Sequence, residues 1–378
     1  MDFEFDDDQL ELRDAARSVL SSTCPPSLVR AVFEGRDTAD ALWTQLVELG
    51  WPALVVDEAH GGLGRSFIDL AVVIEELGRA VDPTPFLVTT TQFLPLVRDA
   101  VATGAAERLL PAVAEGSITG ALALAEDGMW SPEGVTTTAR AHGGGWVIDG
   151  AKFPVQNGAT VDRLAVVVRL EGTEGDEGLG VLVVDPASAD VRPCTNYDPT
   201  TPLAEVRFDH VVVGSDAVLV EPGAPSAAEM IRRALEEATV AIALSMTATC
   251  RAMFERTLQY AKEREQFGRP IGSFQALQHR FVELYLSVER ATSVAYFAAA
   301  AIAEDDERRR VATHMAKAAA GDCQRLLVKD CLQLHGGIGF TWEYDLHFWL
   351  KRAKACDPLF GSGLHHRAAI APLIGLRA

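Results

Sequence analysis

Two short segments of this chain place chemistry-bearing residues at turns between long helical patterns. The first, EREQFGRPIGSFQALQHR, runs from Glu263 to Arg280. Arg264 and Arg269 are cations, Phe267 and Phe274 are flat apolar rings, and Gln275 both donates and accepts hydrogen bonds. That set suits an anion carried on an aromatic ring system. It equally suits a helix C-terminus with arginine near the negative end of the dipole. The second, LQLHGGIGF, spans Leu332–Phe340. Glycines there expose bare backbone amides that a phosphate can approach closely. A helix–helix turn with Gly336 and Gly337 at positive φ explains them as well. A dinucleotide fingerprint needs a strand before the glycines, and here a helical pattern precedes them.

The elements that must position these residues fall into three zones. Residues 1–116 read as helices: DDDQLELRDAARSVLSS, DALWTQLVELG, FIDLAVVIEELGRAV and PTPFLVTTTQFLPLVRDAV. Leu10, Leu12, Ala16 and Leu20 lie near helical spacing, and a glycine at or near the end of the second and third patterns reads as a stop. Residues 117–221 change period to two. GVTTTARA and WVIDGAKFPVQ flank a glycine-rich turn, and RLAVVVRL, GLGVLVVD and AEVRFDHVVV follow. This predicts an antiparallel barrel or sandwich. Residues 222–378 return to helix. Ala227–Arg264 contains no glycine or proline, Ser273 is placed to cap the next helix, and the segment ending at LQLHG forms a third. The fold class expected is α+β: a helical domain, a middle β domain and a C-terminal four-helix bundle.

Composition narrows the function. A net charge of −19 repels nucleic acid and anionic membrane. No segment is long and apolar enough for a membrane span, and the acidic start lacks signal-peptide character. Six scattered cysteines without a CxxC fit a reduced, cytoplasmic setting. His365 and His366 are ligand-like, but no further ligand stands at metal spacing, so no metal is expected.

The paired motifs REQFGRPIGSFQALQH and LQLHGGIGFTWEYDLHFWLKRAK resemble the C-terminal domain of acyl-CoA dehydrogenases, and GGLGRSFIDLAVVIEELGRAVDPTPF resembles their N-terminal domain. The helical–β–helical order is also theirs. The resemblance implies FAD held between the middle and C-terminal domains and across a subunit interface. It implies that Arg264 contacts the FAD pyrophosphate of a neighbouring subunit, beside Gln266, Phe267, Phe274 and Gln275. Gln333, Gly336 and Gly337 would face the neighbour's ADP moiety. An acyl-CoA substrate and an electron-transfer flavoprotein partner are implied with them.

Two departures qualify this. The family's flavin loop, Thr-Glu-Pro…Gly-Ser-Asp, appears as AEDGMWSPEGV, which keeps Glu126. Its Trp-Ile-Thr beside the flavin ring appears as Pro154-Val155-Gln156. The catalytic base departs too. The implied reaction removes an α-proton while hydride leaves the β-carbon for the flavin, and the proton needs a positioned carboxylate. Most members place a Glu before a glycine downstream of the aromatic helix; Phe360 stands there. A smaller group places it about seven turns upstream of the arginine, at ~3.6 residues per turn. That count lands on Ala238, with Glu237 and Glu236 adjacent. Glu237 is the candidate base, against a structural role on that helix. Asp357 precedes Pro358 and is expected to cap a turn. The resemblance therefore points to a base-lacking subunit of an unlike-subunit acyl-CoA dehydrogenase, with a homologous Glu-bearing partner in a heterotetramer, of the kind used in actinobacterial steroid and lipid catabolism. A homo-oligomer, a same-fold flavin monooxygenase and a flavin-less scaffold are the alternatives.

Overall fold

The computed structural model describes residues 5–100 and 103–376. The first four residues of the acidic start, and Val101 of the fourth helical pattern, lie outside them. The described chain opens with α1 (Asp7–Thr23), α2 (Pro26–Phe33), α3 (Asp40–Glu48) and α4 (Phe67–Ala80). Then α5 (Phe86–Val88) and α6 (Leu94–Arg98) flank a π-helical turn, Thr89–Phe93, and α7 is Gly104–Ala114. Strands β1 (Gly120–Ala123), β2 (Thr138–His142), β3 (Gly145–Gln156), β4 (Arg163–Leu170), β5 (Leu179–Val184), β6 (Asp190–Cys194), β7 (Leu203–Val213) and β8 (Val218–Val220) follow. The C-terminal part comprises α8 (Ala227–Glu263), the short strands β9 (Glu265–Gln266) and β10 (Arg269–Pro270), α9 (Gln275–Ala303), α10 (Arg309–His335), α11 (Leu346–Cys356) and α12 (Gly363–Leu373).

The chain divides into two compact units. One takes residues up to 38, 67–83 and those from 239 on; the other takes 39–66 and 84–238. In the first, α10 packs along α9 and against α12. Here α11 is the aromatic, basic helix that follows the glycine pair. Gly78 lies inside α4 rather than stopping it. A Cβ there would stand 2.8 Å from Ser245 O, so glycine permits the close crossing of α4 and α8. Thr249 Oγ1, on α8, donates to Gly78 O at 3.0 Å across that crossing. Two buried carboxylates of α4 are also answered within this unit. Tyr296 donates to Glu75 at 2.5 Å, and Arg17 donates to Glu76 through Nε and Nη2.

The second unit is built on one sheet, ordered β6-β7-β3-β2-β4-β5-β8, with β1 on β4. It is mixed, not purely antiparallel as expected. β1 and β2 both run parallel to β4 because non-consecutive segments meet on that strand. The central strands read as continuous apolar runs: β5 is buried at every residue. Gly143 and Gly144, both at positive φ, form the two-residue tip between β2 and β3. Ser273 does not cap α9. Phe274 holds the N-cap position and Ser273 Oγ donates to Pro270 O instead. Among the described residues no helix is long and apolar enough to cross a membrane.

Candidate functional site

In the first unit, α8 ends where Arg264 N–H donates to Tyr260 O and Arg264 O accepts from Ile271 N–H, each at 2.8 Å. Between these bonds β9 and β10 make a hairpin whose tip is Phe267–Gly268, at φ 55° and 80°. Two successive positive φ values are the signature of a tight primed turn. For phenylalanine this backbone is unfavourable, and the side chain it displays is 91% exposed. Arg269 stacks over Phe274 at 4.1 Å. Arg264, Gln266 and Gln275 are exposed around them.

The end of α10 meets this turn through one stack. Tyr260, one helical turn before Arg264, lies on His335 at 4.5 Å and 24°. His335 Nδ1–H donates to Cys331 O and Nε2 accepts from Tyr344 OH. Burial lowers its pKa, so it is a neutral spacer rather than a charged group. Gly336 then turns the chain at φ 59°, whereas Gly337 enters a short 3-10 turn and is not at positive φ. A Cβ at either glycine would meet nothing within 4 Å, so another molecule can approach the backbone closely there, although the Gly336 N–H itself donates to Gln333 O. Gln333, Gly336 and Gly337 are all exposed. The structure thus brings both predicted segments to one end of the bundle.

The second unit holds the counterpart of the flavin loop. Glu126 accepts from Thr136 N–H and Thr137 N–H at 2.8 and 3.0 Å, from both threonine hydroxyls, and from Lys152 Nζ at 2.7 Å. Burial pushes the carboxyl up, but Lys152 and the threonines overcome it and hold it at about 2. Lys152 is fully buried, which lowers its pKa to about 8 against the pull of Glu126. Five donors leave Glu126 no free lone pair for outside chemistry. Lys152, two residues before Pro154, was not singled out in the sequence; a lysine inside an alternating strand was its only signal. Beyond it, Gln92 Nε2 donates to Gln156 Oε1 at 2.9 Å, with both side chains buried.

Glu237 is also occupied. Arg98 Nη2 and Nη1 donate to its two oxygens at 2.6 and 3.4 Å. Burial opposes charge on Arg98, yet the Glu237 carboxylate raises its pKa. Ala238 is fully buried. At the other base position, Phe360 is 3% exposed at φ 57°, followed by Gly361 at φ 103°. That loop is clamped from below. The buried Lys317 ammonium donates to Asp357 O and Gly361 O at 2.6 and 2.8 Å. His366 Nε2–H donates to Phe360 O, which leaves its Nδ1 to accept from His314 Nδ1–H at 2.8 Å. Asp357 Oδ1 is buried and caps nothing.

A cavity of about 1180 Å³ in the first unit, walled by α1, α4 and α9, contains none of these groups. Two domain models of the acyl-CoA dehydrogenases match, the N-terminal one over residues 6–117 and the C-terminal one over 228–374. Acyl-CoA dehydrogenase IpdE2 of Mycobacterium tuberculosis is 30% identical over 355 residues, 93% of this chain and 92% of that protein. The chain belongs to the acyl-CoA dehydrogenase family. The mouse mitochondrial long-chain specific acyl-CoA dehydrogenase is 26% identical, over 85% of this chain and 75% of that protein. Among solved structures, butyryl-CoA dehydrogenase of Megasphaera elsdenii shares the fold at a TM-score of 0.89, with 21% identity over 99% of this chain and all of that one. The Tcur3481-Tcur3483 steroid ACAD, G363A variant, aligns at a TM-score of 0.85 and 27% identity, covering 97% of both chains.

Membership makes the chain an FAD-dependent oxidoreductase. The residues fit that cofactor: an exposed guanidinium, glycine backbone that a ligand can approach closely and a displayed aromatic ring suit a diphosphate joined to flat rings. When bound, FAD supplies the hydride acceptor.

Proposed function

We propose that this chain is the base-lacking subunit of a hetero-oligomeric acyl-CoA dehydrogenase, acting in α,β-desaturation of a CoA thioester in lipid or steroid side-chain catabolism. The observation that carries the reading is the Asp357–Gly361 loop. Lys317 and His366 fix its backbone, and its presenting position holds a buried phenyl ring that cannot take a proton. Glu237 does not replace the missing group in this reading. Both its oxygens are committed to Arg98, and it serves as that arginine's counter-ion. What the chain keeps is the exposed outer set of Arg264, Phe267, Gln275, Gln333 and Gly337, a surface built to act on a cofactor shared with a neighbour. The likeness to IpdE2 and to a steroid ACAD favours a steroid or related lipid acyl group.

Purification alone and with a homologue that carries the carboxylate tests this. Turnover of an acyl-CoA only in the mixed assembly is expected. Full activity of a homo-oligomer of this chain overturns the reading.

A further inference from the structure

The cavity of about 1180 Å³ walled by α1, α4 and α9 lies wholly in the first unit, apart from the flavin contacts and from both base positions. Helix α1 lines it from three successive turns, with Gln9, Arg13 and Arg17. Two of these are committed. Gln9 Nε2 donates to Asp69 Oδ1 at 3.1 Å, and Arg17 Nε and Nη2 donate to the two oxygens of Glu76 at 2.9 and 2.6 Å. The other arginines of the wall are committed too. Arg79 donates to both oxygens of Glu255, and Arg251 donates to Glu289 and Thr292. Arg13 differs. Its Nε is buried with no hydrogen-bond partner, and its ion pair with Asp14 is 3.6 Å long, to a carboxylate that is 71% exposed. An exposed pair at that separation contributes little, so the orphaned donor calls for an explanation. The Arg13 side chain is 30% exposed overall, which leaves it room to turn toward a ligand.

Much of the remaining wall is apolar. The Arg13 guanidinium lies 6.0 Å from the centre of the Phe5 ring, which meets Tyr296 edge-on at 5.0 Å. The Tyr296 hydroxyl is already spent on Glu75. Ile68 of α4, Val294 and Phe297 of α9 and Met315 of α10 also line the space, and none of the four is fully buried. Covering such side chains is favourable. One uncompensated cation beside apolar surface selects a ligand with one anionic group on an apolar body. The volume exceeds the roughly 300–1,000 Å³ of ordinary ligand pockets, so that body is a long chain or a fused ring system. A second negative charge would face Asp6 and Glu304, which border the cavity, so a monoanion fits better than a polyphosphate.

We infer that this cavity binds a free lipid monocarboxylate, with Arg13 taking the carboxylate side-on through Nε and Nη as Arg17 takes Glu76. A CoA thioester has no charge at its acyl carbon. The site therefore reads the free acid and not the activated form on which the enzyme acts. The inference does not rest on the partner-subunit reading, which concerns other residues.

Calorimetric titration of the chain, in the assembly in which it purifies, tests this with dodecanoate, lithocholate and the uncharged control dodecanol. At least one acid should bind, and which of the two binds more tightly tells a chain-shaped site from a ring-shaped one. Arg13→Gln should weaken the acid about 10- to 100-fold, the worth of a hydrogen bond to a charged group, and leave the FAD content unchanged. Arg13→Lys should recover part of that loss. Val294→Trp, which fills apolar wall, should weaken the acid while Arg13 stays in place. Saturating dodecanoyl-CoA should leave the acid's affinity unchanged, because the sites are separate. The inference is overturned if neither acid binds, if dodecanol binds as tightly as the acids, if Arg13→Gln changes nothing, or if dodecanoyl-CoA displaces the acid. Acid binding by a chain that turns over acyl-CoA without a partner would support this site while the partner-subunit reading fell.

Discussion

At the scale of single residues, the account turns on which acids are free to act. Glu126 and Glu237 are both carboxylates in interesting places; five donors saturate Glu126, and each oxygen of Glu237 accepts from Arg98. Glu237→Gln should therefore leave the activity of the assembled enzyme within about twofold. It should lower stability by about 1–3 kcal/mol, because Arg98, which is partly exposed, loses a charge-assisted hydrogen bond; thermal melting and steady-state turnover check both halves. A drop in turnover of 10²-fold or more would return Glu237 to the role of base. Arg264→Ala should weaken FAD binding about 10- to 100-fold, the range for a hydrogen bond to a charged group, read by fluorescence titration. Arg264, Phe267 and the glycine pair were legible in the sequence because motif spacing marks them. The Glu237–Arg98 pair was not, because its partners lie 139 positions apart.

At the scale of elements, the loop after α11 is held by groups that resist protonation. Burial lowers His366 to about 3 and His314 to about 4. The other charged or titratable groups acting on them are Lys317, Arg310 and His365, all of which oppose added positive charge. The unfolded chain binds protons near the ordinary imidazole value of about 6.5 and the folded one does not, so the unfolded state holds more protons in between. Stability should fall as pH drops from about 6.5 toward 4, with a slope approaching about 1.4 kcal/mol per unit for each histidine. It should be level between about 7 and 8, above which the depressed Lys152 and Lys317 make it rise again. Denaturant titrations across that range check it, and His366→Asn should flatten the slope. The helices themselves were legible: α8 was expected over Ala227–Arg264 and spans Ala227–Glu263. Its freedom from glycine and proline made the reading simple. The mixed sheet was not legible, because parallel pairing on β4 joins segments whose local patterns carry no trace of direction. Nor was the role of Gly78, where a helix crossing mimics a stop signal.

At the scale of the whole molecule, the chain presents an exposed set of residues, proposed above as flavin contacts, without a free carboxylate at either base position. Phe267 and Phe340, 91% and 76% exposed, are costly to leave in water. The proposed assembly would bury both. Replacing Phe267 with serine should weaken association, read as a shift toward smaller species in sedimentation. The most direct test of the central claim supplies the missing group. Anaerobic mixing of acyl-CoA with the flavin-loaded chain, alone and assembled with a carboxylate-bearing homologue, reports flavin bleaching as hydride is accepted. The account predicts bleaching at least 10²-fold faster in the mixed assembly. Equal rates in the chain alone would contradict it.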